Sequence, residues 1–321
     1  MLFSILMIIL GFILLVVGAD FLVKGTSNIA KKIHIPEMLI GLTIVALGTS
    51  APELIITISS ATSGANDLIL GNAIGSNLCN LLLILGLMCV IRPVEIDKEA
   101  VKIHMPMVFI SAVIILCLSL GIFSTPNVID RRDGIILTIM FVLYFSYPIF
   151  AEIKDIKKVY KENLKSDKFK DIKISLSILF IVLGIVLLKY GGDFVVDYAT
   201  NIAMELNVPE SVIGLTIIAI GTAMPELVTS IVAVIKKDTD LAVGNLVGSC
   251  VLNLFLILGV GAIITPLNFS QDFNNNLIYL IISTFVIWCF NFVGKKHVLT
   301  REKGVILLLM FGFYIVKLFY F

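Results

Sequence analysis

The chain has 321 residues, of which 24 are basic, 23 are acidic and 59% are hydrophobic, and its mean hydropathy is +1.06. Soluble domains contain about 45–50% apolar residues, so this composition excludes a set of soluble domains and indicates a polytopic membrane protein. The net charge of +1, without a strongly basic stretch outside one central loop, argues against nucleic acid as a partner.

Apolar stretches long enough to cross a membrane, about 20 residues each, recur along the whole chain. The first is too long for a signal-peptide core of about 7–15 residues, so we interpret it as a span. We predict ten spans, at 2–23, 36–62, 68–91, 103–123, 134–151, 174–196, 209–235, 241–264, 277–294 and 303–320. A polar segment with eight lysines separates five spans from five, which divides the chain into 1–151, a linker at 152–173, and 174–321.

The two halves repeat one another at a constant offset of 173 residues. Residues 18–53 match residues 191–226 at 19 of 36 positions, and residues 67–86 match 240–259 at 12 of 20. The matches include glycines, prolines and acids, which shared hydrophobicity does not explain. The outer spans, four and five against nine and ten, match poorly.

A repeat of five spans is odd in number, so the second copy must enter the membrane upside down. The loop charges agree with this inversion. Lys31 and Lys32 correspond to uncharged or acidic positions in the second half, whereas the uncharged Ser63 corresponds to Lys236, so the basic side of the repeat switches between the halves. With the central linker in the cytoplasm, 20 of the 24 basic residues lie inside and both termini lie outside. Arg131 and Arg132 are exceptions. We therefore predict an all-α protein of the cell membrane with ten transmembrane helices in two inverted five-helix repeats.

Each half carries a short polar stretch within an apolar run, Gly48-Thr49-Ser50-Ala51-Pro52-Glu53 in the first and Gly221-Thr222-Ala223-Met224-Pro225-Glu226 in the second. A carboxylate within a membrane span costs about 2.5–3.5 kcal/mol on insertion scales, so it usually marks a transport path. Proline cannot donate an N–H to the carbonyl four residues earlier, so each helix is predicted to open just before its glutamate. Inverted repeats with broken helices are typical of secondary transporters that bind substrate at the membrane midplane.

The candidate ligands are all oxygen atoms. Thr49 and Glu53 share a helix face at a spacing of four, and the second half repeats the pair. A second pair, Ser76 and Asn80, follows on the next helix. The corresponding second-half residues are Thr222, Glu226, Ser249 and Asn253. Hard cations such as Ca²⁺ take about six to eight oxygen ligands, whereas zinc and copper sites need histidine or cysteine.

Other conspicuous residues have simpler interpretations. We expect the five cysteines to be packing thiols and His34, His104 and His297 to be solvated at the membrane edges. The paired glycines of Gly71-Asn-Ala-Ile-Gly75 and Gly244-Asn-Leu-Val-Gly248 are expected mainly to let helices pack closely. The roles of Asn72 and Asn245 stay open.

The stretch Gly-Thr-Ser-Ala-Pro-Glu, followed by Gly-Asn-Ala-Ile-Gly-Ser-Asn-Leu-Cys-Asn, resembles the first alpha repeat of sodium/calcium exchangers. Residues 221–253 resemble the second, so the alpha motifs cover 41–86 and 214–259. The resemblance implies the cation/calcium exchanger fold and a central Ca²⁺ site made by Glu53, Glu226 and the carbonyls of Thr49 and Thr222. It also implies flanking Na⁺ sites that use the Ala46 and Ala219 carbonyls and the Ser76 and Ser249 hydroxyls, with Asn80 and Ser50 nearby.

Two departures from the family pattern bear on the ion count. Many potassium-dependent relatives have aspartate where this chain has Asn253, so transport independent of K⁺ is expected. Ala223 replaces the usual second-repeat serine and removes one hydroxyl. The large calcium-sensing loop of animal members is absent, which suggests a compact, prokaryotic form.

We therefore expect an antiporter that exchanges Na⁺ for Ca²⁺ by alternating access, without a cofactor, with a monomer sufficient for transport. Proton/calcium exchange is the alternative on the same fold, although those relatives typically carry Gly-Asn-x-x-Glu. An intramembrane hydrolase is disfavoured because no His-Glu-x-x-His motif or serine with a buried base is found, so we expect no enzymatic activity. A passive channel suits the duplicated midplane site less well.

Overall fold

The computed structural model describes residues 1–33, 35–122, 125–163, 173–206 and 219–320, and almost all of them are helical. Among these residues, six helices are long and apolar enough to cross a membrane, and a seventh span results if one bent pair is counted as a single crossing. This agrees with the expected all-α membrane protein. The first part of the predicted seventh span, with Pro209, Gly214 and Thr216, lies outside the described residues.

The helices of the first half are α1 (Leu2–Ile33), α2 (Glu37–Thr49), α3 (Ala51–Ser63), α4 (Asn66–Ile91), α5 (Ala100–Ser119) and α6 (Arg131–Asn163). Those of the second half are α7 (Ile174–Glu205), α8 (Ala219–Thr222), α9 (Met224–Ile235), α10 (Thr239–Ile264), α11 (Gln271–Phe290) and α12 (Arg301–Tyr320). Helix α6 continues to Asn163 and therefore into the segment predicted to be a linker. The order of the elements is the same in both halves, including the outer helices that match poorly in sequence.

Two-residue strands follow the same repeated order. They are β1 (Val94–Glu95), β2 (Val128–Ile129), β3 (Leu267–Asn268) and β4 (Val298–Leu299). Strand β1 pairs antiparallel with β4, and β2 pairs antiparallel with β3. Each pair therefore joins a strand of the first half to a strand of the second half.

The chain forms two compact units, and each unit draws on both halves of the sequence. Unit 1 comprises Met1–Thr49 and Phe145–Asn245, and unit 2 comprises Ser50–Tyr144 and Leu246–Phe321. In unit 1 the long helices α1 and α7 pack along their length through small residues. A Cβ atom placed on Gly11, Gly18 or Gly25 would approach the carbonyl oxygen of Gly191, Gly184 or Ser177 to 2.7–2.9 Å.

The order of these contacts is reversed between the two helices, so α1 and α7 run antiparallel. The glycines of α1 recur every seven residues, which keeps them on one face. Because glycine has no side chain, the two backbones come closer together here than larger residues would permit.

Unit 2 contains two further close helix contacts. A Cβ atom on Gly304 of α12 would lie 2.8 Å from the carbonyl oxygen of Gly86 in α4, and one on Gly134 of α6 would lie 2.6 Å from that of Gly259 in α10. Gly86 and Gly259 are equivalent residues of the repeat. Each inner helix therefore contacts an outer helix from the other half.

Candidate functional site

Both predicted helix breaks are confirmed. Helix α2 ends at Thr49 and α3 begins at Ala51, with a bend of 45° between them and φ −88°, ψ 8° at the intervening Ser50. In the second half α8 ends at Thr222 and α9 begins at Met224, with φ −83°, ψ 0° at Ala223. In both places proline falls in the first turn of the new helix, where its missing N–H costs least.

The two glutamates occupy equivalent places just after the breaks. Glu53 lies in the first turn of α3 and Glu226 in the first turn of α9, and each is only 1% exposed. The positive end of a helix dipole favours a negative charge in the first turn. A buried carboxylate still needs compensating positive charge, so both positions suit the binding of a cation.

In unit 1 a buried hydrogen-bonded chain joins the end of α2 to α9 and α10. The Thr49 hydroxyl lies 3.2 Å from Asn245 Oδ1, and Asn245 Nδ2 donates to Ser230 Oγ at 3.2 Å. Thr49 Oγ1 also lies 3.1 Å from the Val45 carbonyl oxygen and 3.4 Å from that of Ala46. The role left open for Asn245 is therefore a bridge between Thr49 and Ser230.

In unit 2, Ser50 at the first helix break contacts Ser249 in the second-half helix α10. Ser50 Oγ donates to Ser249 Oγ at 3.0 Å, and both side chains are buried. Asn72 Nδ2 donates to the backbone carbonyl of Glu53 at 3.4 Å, which addresses the second open role. The two asparagines are equivalent in sequence and differ in their partners.

The two predicted amide ligands lie on π-helical segments. Asn80 belongs to Cys79–Ile84 in α4, and Asn253 opens Asn253–Ile257 in α10. Single π-helical turns within α-helices are often associated with functional sites. The Oδ1 atoms of Asn80 and Asn253 are buried and accept no hydrogen bond from a described residue. A cation would give these oxygens the partner that a buried acceptor needs.

The predicted ligands fall in both units. Unit 1 holds Ala46, Thr49, Ala219, Thr222 and Glu226, and unit 2 holds Ser50, Glu53, Ser76, Ser249, Asn80 and Asn253. All of those in unit 2 are buried, and in unit 1 Ala46, Thr49 and Glu226 are buried while Thr222 is partly exposed.

Four buried polar residues near these ligands were missed in the sequence. Ser230 and Asn77 take part in side-chain hydrogen bonds, whereas the hydroxyls of Thr57 and Thr229 have no hydrogen-bond partner among the described residues. Thr57 lies four residues after Glu53, and Thr229 and Ser230 lie three and four residues after Glu226. That spacing places these three hydroxyl residues on the same helix face as the glutamate, so they could have been predicted from the sequence.

One of the simpler interpretations was wrong, and another is only partly tested. His104 is buried, at 5% exposure, and its Nδ1 lies 2.9 Å from the Tyr144 hydroxyl, so it is not solvated as expected. A Cβ atom on Gly71 or Gly75 would meet no described atom within 4 Å, so the close packing expected of these two glycines stays a prediction. Gly244 does pack closely, against the backbone of Met38 and Leu42.

Taken together, two helices broken before a buried glutamate, each followed by a π-helical amide, define a multi-pass membrane protein with a duplicated oxygen-rich motif. The family model for the sodium/calcium exchanger protein matches residues 3–150 and 176–320. The chain belongs to the sodium/calcium exchanger family.

Two bacterial relatives and one solved structure match this chain over nearly their whole length. The chain is 33% identical to the inner membrane protein YrbG of Escherichia coli, over 90% of each chain, and 32% identical to the putative antiporter CaxA of Alkalimonas amylolytica, over 97% of each. The solved structure of the sodium-calcium exchanger NCX_Mj, soaked with zero Na⁺ and Ca²⁺, superposes with a TM-score of 0.82 at 26% identity and covers 98% of both chains. A compact, prokaryotic type of exchanger therefore fits this chain.

Proposed function

We propose that this protein is an antiporter that exchanges Na⁺ for Ca²⁺ across the cell membrane without requiring K⁺. The observation that carries the proposal is the duplication of a buried glutamate directly after a helix break, at Glu53 and Glu226. Membership of the sodium/calcium exchanger family and the likeness to NCX_Mj support a cation/calcium antiporter.

The proposed ligand set follows the sequence prediction. Glu53 and Glu226, with the carbonyls of Thr49 and Thr222, bind Ca²⁺. The carbonyls of Ala46 and Ala219 and the hydroxyls of Ser76 and Ser249 bind Na⁺, with Asn80, Asn253 and Ser50 alongside. The Oδ1 atoms of Asn80 and Asn253 are buried and have no hydrogen-bond partner in the described part of the chain. They support this assignment, since hard cations prefer oxygen ligands.

Shared carboxylates provide the coupling between the two fluxes. Two ionised glutamates carry a charge of −2, which one Ca²⁺ neutralises. Two or more Na⁺ ions can take the place of that Ca²⁺. Because both ions need the same carboxylates, they compete, and the site exchanges one for the other. Asn253 adds no charge, so no additional monovalent cation is needed for balance.

The proposed topology is ten transmembrane helices in two inverted five-helix repeats. Helices α1 and α7 begin the two halves, and their antiparallel packing through Gly11, Gly18 and Gly25 supports the inversion. The strand pairs give independent support. Val94 pairs with Leu299, and the repeat-equivalent Leu267 pairs with Ile129, as expected if a two-fold axis exchanges the halves.

Helix α5 lies between β1 and β2 in the chain, and its 20 residues are about 30 Å long, the thickness of a bilayer core. The two equivalent strand pairs therefore belong at opposite ends of one span. We propose that the polar segment at 152–173 is cytoplasmic, that both termini lie outside, and that a monomer transports.

The test is ion flux through the purified protein in liposomes. We expect ⁴⁵Ca²⁺ uptake when an outward Na⁺ gradient is imposed, and none with an outward K⁺ or H⁺ gradient. Uptake driven by the H⁺ gradient alone would establish proton/calcium exchange instead. Ca²⁺ flux that needs no counter-ion would contradict antiport altogether.

A further inference from the structure

Asn77 is a buried amide that the predicted ligand set does not include. It lies on α4 next to Ser76, has no solvent exposure, and makes two hydrogen bonds to α10. Its Nδ2 donates to the backbone carbonyl of Cys250 at 3.1 Å, and its Oδ1 accepts from Asn253 Nδ2 at 3.1 Å. The Asn77 side chain thus connects two points of α10. One is the backbone at Cys250, just before the π-helical segment, and the other is the side chain of Asn253, the first residue of that segment.

The direction of this chain of bonds follows from chemistry. A backbone carbonyl can only accept, so the Asn77 nitrogen must face Cys250. The Asn77 oxygen therefore faces residue 253, and that residue must supply a donor. Asn253 does so with its nitrogen, which leaves Asn253 Oδ1 as its remaining acceptor, buried and without a partner among the described residues.

We infer that Asn77 is a positioning residue that orients the Asn253 amide, presents its oxygen to the transported cation, and selects a neutral donor at position 253. This inference rests on the proposed function, in which Asn253 belongs to the ligand set. An ionised aspartate at position 253 would have no proton to donate and would place a second acceptor against Asn77 Oδ1. Asn77 thus excludes a third negative charge from the site.

Only one of the two repeat-equivalent amides, Asn253, is oriented in this way. The residue equivalent to Asn77 in the second half is Cys250, and the residue equivalent to Asn253 in the first half is Asn80. The cysteine side chain has one sulfur atom, which is a weak donor and a weak acceptor, so it does not offer the separate nitrogen donor and oxygen acceptor of an amide. Asn253 is therefore held in one orientation by an amide whose counterpart does not exist for Asn80.

A double-mutant cycle tests whether Asn77 acts through Asn253. The variants are Asn77→Ala, Asn253→Ala and the two combined, measured as Na⁺-driven ⁴⁵Ca²⁺ uptake by the full chain in liposomes. We expect Asn77→Ala to raise the half-saturating Ca²⁺ concentration about tenfold with the maximal rate within about twofold. The combined variant should then be no worse than Asn253→Ala, because the oriented group is already absent.

Asn274→Ala is the matched control, since Asn274 is a buried asparagine of unit 2 that accepts from Ser119 at 2.8 Å and belongs to no ligand set. It should leave the half-saturating Ca²⁺ concentration unchanged. Additive losses in the Asn77 and Asn253 cycle, or an unchanged half-saturating concentration in Asn77→Ala, would overturn the inference.

The selection of a neutral residue is tested separately at one fixed pH of about 8, at which an ordinary aspartate is ionised. Asn253→Asp should lose Ca²⁺ uptake about tenfold or more while Asn77 is present. Asn77→Ser in the same chain supplies a hydroxyl that can donate to the carboxylate, and uptake should partly recover. Uptake by Asn253→Asp at the wild-type rate would contradict the selection.

Thermal stability of the detergent-solubilised variants separates this inference from the proposed function. Ca²⁺, Na⁺ and K⁺ are each added alone, and the rise in Tm reports binding without transport. If the wild type binds a cation but does not exchange Na⁺ for Ca²⁺, the proposed function fails. The inference then still requires that Asn77→Ala and Asn253→Ala reduce the Tm rise equally and that the combined variant lose no more. If no cation raises the Tm of the wild type, both proposals fail.

Discussion

Thr49 and Asn245 are joined by a side-chain hydrogen bond of 3.2 Å, between residues from opposite halves of the sequence. Thr49 ends helix α2, and Asn245 is fixed by its second bond, to Ser230. The end of the broken helix is thereby tied to the helix that follows the second glutamate motif. This bond leads to a prediction about stability.

Thr49→Val removes the hydroxyl and keeps the shape and the backbone carbonyl. Asn245 Oδ1 then loses its donor inside a buried region, which costs about 1–3 kcal/mol. We expect the Tm of the purified protein to fall by several degrees. Thr49→Ser retains the hydroxyl and is the control. An equal Tm in Thr49→Val and the wild type would show that the bond does not stabilise the fold.

Glu53→Gln and Glu226→Gln should each abolish Ca²⁺ transport. Either change leaves one carboxylate to balance a desolvated divalent ion, while glutamine keeps the size of the side chain. The measurement is Na⁺-driven ⁴⁵Ca²⁺ uptake in liposomes of matched protein content. Glu302→Gln, at an exposed position, should transport like the wild type, and size-exclusion profiles should be the same for all three variants. Near-normal exchange in either buried variant would remove the proposed Ca²⁺ site.

Cysteines placed at Ser63 and Lys236 should be labelled from opposite sides of the membrane. Ser63 is the last residue of α3 and Lys236 directly follows α9, and the two are equivalent at the offset of 173, so an inverted repeat puts them on different faces. The readout is modification by an impermeant maleimide in sealed right-side-out and inside-out vesicles, with the five native cysteines replaced. Labelling of both residues from one side would contradict the inverted repeat.

Gly18→Ala should destabilise the α1 and α7 pair. The added Cβ would lie 2.9 Å from the Gly184 carbonyl oxygen and from the Leu187 Cβ, which forces the helices apart at a cost of about 1–3 kcal/mol. A lower Tm is expected. Gly312→Ala is the control, because a Cβ there meets no described atom within 4 Å. Equal Tm values for the two variants would show that the close approach is unimportant.

Transport should not require K⁺, because Asn253 supplies no third carboxylate. Exchange of three Na⁺ for one Ca²⁺ moves one net charge, and each net charge gains or loses about 2.3 kcal/mol per 100 mV. Ca²⁺ accumulation in Na⁺-loaded vesicles at clamped voltages, with and without K⁺, measures both properties. Strict K⁺ dependence would contradict the role of Asn253, and a voltage-independent plateau would exclude three-to-one coupling.

The helix breaks at Ser50 and Ala223 could be predicted from sequence because they have a local cause. Proline removes a backbone donor whatever surrounds it, and the repeat shows the effect twice. The π-helical segments at Asn80 and Asn253 have no such local signal, since the ordinary apolar residues around them form α-helices elsewhere in the chain. The position of His104 beside Tyr144 likewise depends on which helices pack together.

Asn77 shows a further limit of the sequence. It lies in the same Gly-Ser-Asn-Leu-Cys-Asn stretch of α4 as Ser76 and Asn80. Its hydrogen-bond partners, however, are on α10 in the second half. Its partners lie 173 and 176 residues away, and only the packing of α4 against α10 brings them together. Its polar character could be read from the sequence, but the direction of its hydrogen bonds could not.

Because each compact unit takes segments from both halves, neither can be completed during synthesis until the second half has been made. The glycine face of α1 has to wait for α7, which begins 141 residues after α1 ends. At about 5–20 residues per second this delay is roughly 7–30 s, during which the first half is completed while α1 still lacks its partner. Nascent first halves are therefore the form of this protein in which glycine faces are open to neighbouring chains and to membrane proteases.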